Sequence, residues 1–314
     1  MNKVTIIGSG RVGSTIAYTL AVQGLASEIV LIDINGARAE GEAVDIRQGT
    51  PYCNPCQIYP GDYSDARGSN IVIITSGIAR KPGQSRIDLA QTNVNIIKSI
   101  TPNIVKAAPD AYYIVVSNPV DILTYTLCKR SGLPEERIIG SGTILDTARL
   151  RSRLSEKFMI NTRNIHAYVL GEHGESSFIP WSLVNISNVP VMEYRSSFNV
   201  ETEKGVGIDI AEIDKYVKDS GSYVIERKGA TYYAIAVSTT HICKCLLSGI
   251  DTTLTVSTMC NGEYGIDDVC ISLLNVIGNK GAHCKVLPNF TDDELRALQN
   301  SVGVLKDVIR SLSI

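Results

Sequence analysis

The fold is decided by residues 4–33, VTIIGSGRVGSTIAYTLAVQGLASEIVLID. Val4–Gly8 is a short β-branched run, Val12–Gln23 carries apolar residues at helical spacing, and Ile29–Asp33 is a second β-branched run. This order predicts a strand, a helix and a second strand that lies parallel to the first. Such a unit begins a sheet that has helices on both faces.

The turn between the first strand and the helix has the form G-x-G-x-x-G. Glycines in this turn let a pyrophosphate approach the backbone, and the N-terminus of the helix supplies N–H donors. An acidic residue at the end of the second strand accepts hydrogen bonds from the ribose hydroxyls of NAD and repels the additional phosphate of NADP. The sequence therefore predicts an NAD site that contains Gly8, Gly10, Val12, Gly13 and Asp33. A glycine turn in a domain that binds no nucleotide is the alternative.

The alternation of strands and helices continues in the first half. Ile71–Thr75 and Tyr112–Ser117 are further apolar runs, and residues 86–108 between them have helical spacing. We therefore predict an α/β fold with a Rossmann-type, doubly wound parallel sheet over residues 1–140.

Ligands of such a sheet bind beyond the carboxyl ends of its strands. Gly77 follows one of these strands, and Ser117 and Asn118 follow the next. We predict all three at the cofactor, with Asn118 in reach of both the nicotinamide ribose and a substrate oxygen.

The second half, residues 141–314, has a different pattern and predicts an α+β substrate domain. A C-terminal helix should begin near Thr291, which forms a capping box with Glu294. A further helical stretch follows Arg227. The other predicted elements are an amphipathic helix and three strands, at Thr202–Glu226, His166–Leu170, Thr252–Met259 and Asp268–Leu274.

Composition restricts the class of protein. Of 314 residues, 44 % are hydrophobic and 20 % are charged, which is typical of a globular chain. The 30 Lys and Arg nearly balance the 32 Asp and Glu, and the sequence has no long basic run and no apolar run of bilayer length. We therefore expect no nucleic acid or membrane as a partner. The start, MNKVTIIGSG, enters a strand directly and lacks a signal-peptide pattern, so we expect a cytoplasmic protein.

The chain has eight cysteines, which we expect to be reduced thiols. Cys53 and Cys56 form a single C-x-x-C, and there is no second pair to complete a structural zinc site. We therefore predict no metal, with metal or redox use of this pair as the alternative. Cys243 and Cys245 lie in an apolar stretch and are expected in the core.

Histidine suits the interconversion of an alcohol and a ketone, because it titrates in the range where it can accept the hydroxyl proton and return it. Of four histidines, His173 lies between glycines in GEHG, where a catalytic loop can turn and a ligand can approach. We predict His173 as the acid/base. A hydrogen-bonded structural residue is the alternative, and it is the favoured interpretation for His241 and His283.

Three further charged residues are candidates to act with His173. Asp146 can orient the imidazole and support its charged form, unless it only caps a helix. Arg149 lies on the same helix face and offers a planar, bidentate partner for a substrate carboxylate. Arg86 follows the Pro82-Gly83 loop and can polarise a carbonyl if that loop closes as a lid. The alternatives are that Arg149 is an ordinary exposed arginine and that the Pro82-Gly83 loop is a turn without a catalytic role.

These segments resemble the lactate/malate dehydrogenase family along nearly the whole chain. The segments are IIGSGRVGST, RKPGQSRIDL, VVSNPVDILTY, SGLPEERIIGSGTILDTARLRSRLSEKF, YVLGEHGESSFIPWS and RKGATYYAIA. The resemblance implies NAD-dependent hydride transfer at C2 of a small 2-hydroxy acid. The resemblance implies that His173 is the acid/base, that Asp146 is its partner and that Arg149 anchors the substrate carboxylate. It also implies that Arg86 polarises the carbonyl, that Asn118 contacts the substrate and that Thr231 lies in the pocket wall.

Within the family, GEHGESSFIPWS and KGATYYAIA are most similar to the segments of bacterial L-lactate dehydrogenases, which interconvert L-lactate and pyruvate. Arg151 and His166 resemble the pair that binds fructose 1,6-bisphosphate in allosteric bacterial members. Two surface residues without a ligand are the alternative. The resemblance further implies a homotetramer.

One position departs from the lactate pattern. The lid residue that meets the substrate side chain is usually Gln in lactate enzymes and Arg in malate enzymes, and here it is Arg80. Arg80 suits the second carboxylate of oxaloacetate, because a charge-assisted hydrogen bond contributes about 1.5–3 kcal/mol. Gln84, where lactate enzymes often have Glu, removes a repulsion of that carboxylate. Pyruvate is the preferred substrate because the pocket and effector residues agree with it, and malate dehydrogenase is the alternative.

A non-catalytic NAD-binding protein and a structural α/β protein without a ligand are alternatives from other classes. The complete set of one His, one Asp and two Arg argues against both.

Overall fold

A computed structural model describes residues 2–78, 85–194 and 208–314. Its helices are α1 to α8, over Arg11–Val22, Gly36–Gly49, Arg86–Ala107, Val120–Ser131, Ile144–Phe158, Ile210–Lys228, Tyr233–Ser248 and Asp292–Arg310. Its strands are β1 to β12, over Lys3–Ile7, Glu28–Ile32, Gln57–Pro60, Ile71–Ile74, Tyr112–Val115, Ile138–Gly140, Ile165–His166, Asn185–Ile186, Val189–Pro190, Thr252–Asn261, Asp267–Gly278 and Gly281–Val286.

The first six strands form a parallel sheet in the spatial order β3-β2-β1-β4-β5-β6. This is the Rossmann order, so the predicted doubly wound sheet is confirmed. Its strands are apolar almost throughout because two hydrophobic clusters cover its two faces. The order reverses between β1 and β4, and this is the place where such sheets open a crevice for ligands.

The second half does not build a separate large sheet. Strands β10, β11 and β12 are antiparallel and join β6 through the pair Ser257 and Gly140, which makes one sheet of nine strands. A small antiparallel sheet of β7, β8 and β9 packs with α5 and α6 around a third apolar cluster. The predicted α+β character of this half is confirmed.

The strand predicted over His166–Leu170 is interrupted: β7 ends at His166, and Leu170 forms an isolated antiparallel bridge with Phe178. Between these two residues, the backbone of Val169 is bound by side chains near the start of α5. Val169 N–H donates to Thr147 Oγ1 at 2.9 Å, and the Val169 carbonyl accepts from the Thr143 hydroxyl at 2.5 Å.

The helix predicted over Thr202–Glu226 begins later than expected. Asp209 accepts a hydrogen bond from Glu212 N–H and caps the first turn, so α6 starts at Ile210. The part of the predicted range before residue 208 lies outside the described residues. At the other end of the chain, the capping box of Thr291 and Glu294 is confirmed at the start of α8.

The eight cysteines are free thiols. Cys243 and Cys245 are buried as predicted. Burial raises the pKa of the Cys56 thiol to about 11, which disfavours its reactive thiolate form. Within residues 2–78, 85–194 and 208–314, no group of three or more His, Cys, Asp or Glu side chains is arranged to hold a metal ion. No helix in these ranges has the length and apolarity needed to cross a bilayer.

Candidate active site

A cleft of about 610 Å³ lies where the carboxyl ends of β1, β4 and β5 meet the second half of the chain. Its floor is formed by residues that follow these strands, and its opposite wall comes from α5, α6 and the loop that contains His173. The sequence-predicted residues that line it are Val12, Gly77, Ser117, Asn118, Asp146, Arg149, His173 and Thr231.

The glycine turn has the shape that a dinucleotide requires. Gly8 has a φ of +101°, and a Cβ on Gly13 would lie 1.9 Å from the Gly8 carbonyl oxygen. Neither position therefore accepts a side chain. Gly10 caps α1 with no side-chain hydrogen bond from the described residues, and a Cβ there would meet nothing within 4 Å. No side chain among the described residues therefore occupies the cap of α1, which leaves its first amides available to a pyrophosphate.

Asp33 lies beside the same turn. Its Oδ2 accepts hydrogen bonds from the Ser9 N–H at 2.7 Å and the Ser9 hydroxyl at 3.0 Å, and its Oδ1 accepts from the Asn35 N–H at 2.8 Å. These bonds hold the carboxylate at the end of β2, where it can meet an adenine ribose. The turn and Asp33 together fit NAD.

His173 and Asp146 form a hydrogen-bonded pair in the cleft wall. The distance between His173 Nδ1 and Asp146 Oδ2 is 2.6 Å. Because a carboxylate only accepts, Nδ1 carries a proton and Nε2 is the atom that gains and loses one. Burial opposes the charged imidazole, but the charge and hydrogen bond of Asp146 outweigh it and raise the pKa of His173 above its ordinary value.

Arg149 of α5 also pairs with Asp146, so that His173, Asp146 and Arg149 form a hydrogen-bonded set. Its Nη1 donates to Asp146 Oδ1 at 2.8 Å, so one carboxylate binds both cations. Burial opposes the charge of Asp146, but His173 and then Arg149 outweigh this effect and lower its pKa. Gly221 of α6 faces Arg149, and a Cβ there would lie in ordinary van der Waals contact with the guanidinium, 3.6 Å from Nη2.

Asn93 is a site residue that the sequence interpretation missed. It is buried in α3, and its side chain joins two loops at the floor of the cleft. Its Oδ1 accepts from the Ile78 N–H at 2.9 Å, and its Nδ2 donates to the Asn118 carbonyl at 2.8 Å. A polar residue on the apolar face of a predicted helix was the available signal.

The remaining predicted residues lie at the margins of the cleft or outside the described residues. Arg86 is exposed at the first position of α3 and does not line the cleft as described. Residues 79–84, which include Arg80 and Gln84, precede Ser85 and Arg86 and lie outside the described residues.

Arg151 and His166 lie near each other but away from this cleft. Arg151 donates from Nε to the carbonyl of Ala167, the residue after His166, at 3.0 Å. The Arg151 guanidinium also lies 5.4 Å from the centre of the Tyr168 ring. His166 is exposed at the end of β7. Arg151 lines a second cavity of about 300 Å³, to which His241 also contributes.

Comparison with known proteins agrees with this geometry over the whole chain. Residues 2–140 match the family model described as lactate/malate dehydrogenase, NAD binding domain. Residues 143–313 match the model described as lactate/malate dehydrogenase, alpha/beta C-terminal domain.

Individual relatives match along their full length. The L-lactate dehydrogenase of Acetivibrio thermocellus is 45 % identical, with 100 % of this chain and 98 % of the relative covered. That of Thermoanaerobacter pseudethanolicus is 46 % identical, with 100 % of both chains covered. The ligand-bound crystal structure of the minor L-lactate dehydrogenase of Enterococcus mundtii is 38 % identical, with a TM-score of 0.94 and coverage of 100 % and 99 %. A dinucleotide turn, a His–Asp–Arg cleft and these matches along both halves make the chain a member of the lactate/malate dehydrogenase family.

Proposed function

We propose that the protein is an NAD-dependent L-lactate dehydrogenase that interconverts L-lactate and pyruvate. The observation that carries the proposal is the hydrogen-bonded His173–Asp146–Arg149 set in the wall of a cleft beside the glycine turn. The relatives at 45 % and 46 % identity, which are L-lactate dehydrogenases, support pyruvate rather than oxaloacetate as the substrate.

NAD held by the glycine turn and Asp33 would supply hydride transfer to and from C2 of the hydroxy acid. Nε2 of His173 takes the hydroxyl proton during oxidation and returns it during reduction. Asp146 holds the imidazole in one tautomer and stabilises its charged form. Arg149 binds the substrate carboxylate with two parallel hydrogen bonds. Arg86 stabilises the negative charge that develops on the carbonyl oxygen during reduction.

Further residues are proposed to position these groups and the cofactor. Gly8, Gly10, Val12 and Gly13 form the pyrophosphate turn, and Asp33 binds the adenine ribose. Gly77, Ser117 and Asn118 contact the nicotinamide half, and Thr231 contributes to the substrate pocket. We also propose the division into an NAD-binding domain over 1–140 and a catalytic domain over 141–314. A cytoplasmic location stays a prediction of the sequence.

The substrate preference is tested by measuring pyruvate and oxaloacetate reduction by NADH side by side. We expect the higher kcat/KM with pyruvate, because the relatives at 45 % and 46 % identity are L-lactate dehydrogenases. Arg80→Gln should lower any oxaloacetate activity by about tenfold to a hundredfold, the value of one charge-assisted hydrogen bond, and should leave pyruvate turnover nearly unchanged. A preference for oxaloacetate of about tenfold or more in the unmodified protein contradicts the lactate assignment.

We also propose that Arg151 and His166 bind fructose 1,6-bisphosphate in a homotetramer. An arginine and a histidine from neighbouring segments can both donate hydrogen bonds to one phosphate group, and a symmetric assembly can present both sets to a bisphosphate. The hydrogen bond from Arg151 Nε to the carbonyl of Ala167, the residue after His166, supports the pairing.

Addition of fructose 1,6-bisphosphate should lower the KM for pyruvate by about fivefold or more, since the effector stabilises the competent assembly. Arg151→Gln should abolish the response, whereas Arg310→Gln, which removes an exposed arginine at the end of α8, should retain it. Steady-state kinetics and light scattering are the measurements. If neither the kinetics nor the oligomeric state of the unmodified protein responds, Arg151 and His166 are not an effector site.

A further inference from the structure

The loop that carries His173 is held at three consecutive residues. Gly171 exchanges both backbone hydrogen bonds with Ser272 of β11, at 3.0 and 3.1 Å. The Glu172 N–H donates to the hydroxyl of Ser301 in α8 at 2.7 Å. The His173 N–H donates to Asp121 Oδ2 at 2.8 Å. Asp121 is the only charged group among these acceptors, and it is not one of the residues proposed for catalysis or cofactor binding.

Asp121 lies in the first turn of α4 and is 3 % exposed. Within the described residues its Oδ1 and the hydroxyl of Ser257 in β10 have no other hydrogen-bond partner, and Ser257 lies close enough to lower the pKa of Asp121. Burial of a carboxylate is costly, whereas a neutral hydroxyl suffices as the acceptor for the neighbouring Glu172 N–H. The hydrogen bond to the His173 N–H therefore does not by itself account for a carboxylate at this place.

The charge does act on the imidazole. After burial and the two effects of Asp146, the negative charge of Asp121 is the next influence on His173, and it raises the pKa of the histidine. Burial in turn raises the pKa of Asp121 to about 6, while Ser257 and His173 oppose that rise.

The other titratable groups around the pair are few. Glu172, in the histidine loop, raises the pKa of Asp121 further. Arg149 of α5 lowers the pKa of His173 and partly offsets Asp146 of the same helix. The negative charge of Asp121 also contributes to the raised pKa of the Cys270 thiol in β11. Among these groups, Asp121 combines a direct backbone bond to His173 with a charge that favours imidazolium.

We propose that Asp121 is a positioning residue for the acid/base: it fixes the backbone of His173 and its negative charge favours the protonated imidazole. The proposal rests on the proposed function of His173. In this proposal Asp121 of α4 holds the backbone of His173, whereas Asp146 of α5 holds its imidazole.

The test replaces Asp121 by Asn, which keeps an oxygen for the His173 N–H and removes the charge. In pyruvate reduction, kcat/KM falls as the pH rises through the pKa of His173, because the protonated form is the donor. In Asp121→Asn this fall should move to lower pH by about 0.5–1 unit, and kcat at neutral pH should decrease about three- to tenfold. The KM for NADH should stay unchanged. Asp110→Asn, which removes an exposed carboxylate far from the cleft, is the matched control and should leave the profile in place.

The midpoint of the pH profile does not depend on how much protein is folded, so a loss of folded protein cannot imitate the expected shift. A midpoint at the unmodified pH in Asp121→Asn overturns the proposal. So does a double variant, His173→Asn with Asp121→Asn, whose loss of kcat is the product of the two single losses, since Asp121 would then act independently of the histidine. Wild-type activity in His173→Asn alone contradicts the proposed function instead, which separates the two failures.

Discussion

Replacing His173 by Asn is expected to lower kcat for pyruvate reduction by about 10²- to 10⁴-fold, the usual contribution of a positioned general acid. Asparagine fills much of the same space, but it has no group that exchanges a proton near neutral pH. NADH binding should be retained, because the glycines of the turn and Asp33 do not line the cleft that contains His173. Steady-state kinetics at saturating pyruvate and titration of NADH fluorescence are the measurements.

His283→Asn is the matched control for this variant. His283 also pairs with a carboxylate, since its Nε2 lies 3.2 Å from Asp251 Oδ2, but it lies outside the active-site cleft. The control should retain full activity. A His173→Asn enzyme within about threefold of the unmodified kcat would require another acid and would end the catalytic assignment of the His173–Asp146 pair.

The unmodified enzyme should also show opposite pH dependence in its two directions. Asp146 raises the pKa of His173, so the protonated form persists above the ordinary histidine range. Pyruvate reduction uses that form and loses activity as the pH rises through the raised pKa, whereas lactate oxidation uses the neutral form and gains activity over the same interval. His173→Asn should remove both limbs.

Replacing Arg149 by Gln is expected to lower kcat/KM for pyruvate by about two to four orders of magnitude. The substrate carboxylate would lose two charge-assisted hydrogen bonds, each of which contributes about 1.5–3 kcal/mol. Arg149→Lys should recover only part of this loss, because an ammonium group keeps the charge but not the planar pair of donors. Saturation kinetics should show the larger change in KM.

Arg153→Gln provides the control for the loss of one arginine from α5. Arg153 lies one turn beyond Arg149 and pairs with Glu156 and Glu212, away from the cleft. It should leave kcat/KM nearly unchanged. Because Arg149 lowers the pKa of His173, Arg149→Gln should also move the pH limb of pyruvate reduction upward, in the direction opposite to Asp121→Asn. Equal losses in the Arg149 and Arg153 variants would contradict the role of Arg149 as anchor.

The first half of the fold was predictable because its information is local. The strand, the G-x-G-x-x-G turn and the helix are contiguous segments, and the residue spacing within each one indicates its secondary structure. Asp146 and Arg149 were predictable together for the same reason, since a spacing of three residues places them on one helix face whatever surrounds the helix.

The errors in the second half have a tertiary cause. Residues 167–169 look like a strand by composition, but Thr143 and Thr147 satisfy the backbone of Val169 and leave no partner for a ladder. The sequence also left open which sheet the antiparallel strands β10–β12 join, and in the structure they extend the first sheet through Ser257 and Gly140. Such choices depend on which hydrogen-bond partner packing brings within reach.

By itself, the sequence determined the Rossmann half, the glycine turn with Asp33 at the end of the second strand, and the placement of Asp146 and Arg149 on one face of α5, because these depend on contiguous segments or on helical spacing. The tertiary structure alone decided what holds the histidine in place. Asp121 is 52 residues from His173 in the chain, and Ser301 is 129 residues from Glu172. Contacts across such separations have no local pattern, since they exist only after α4 and α8 have packed behind the loop.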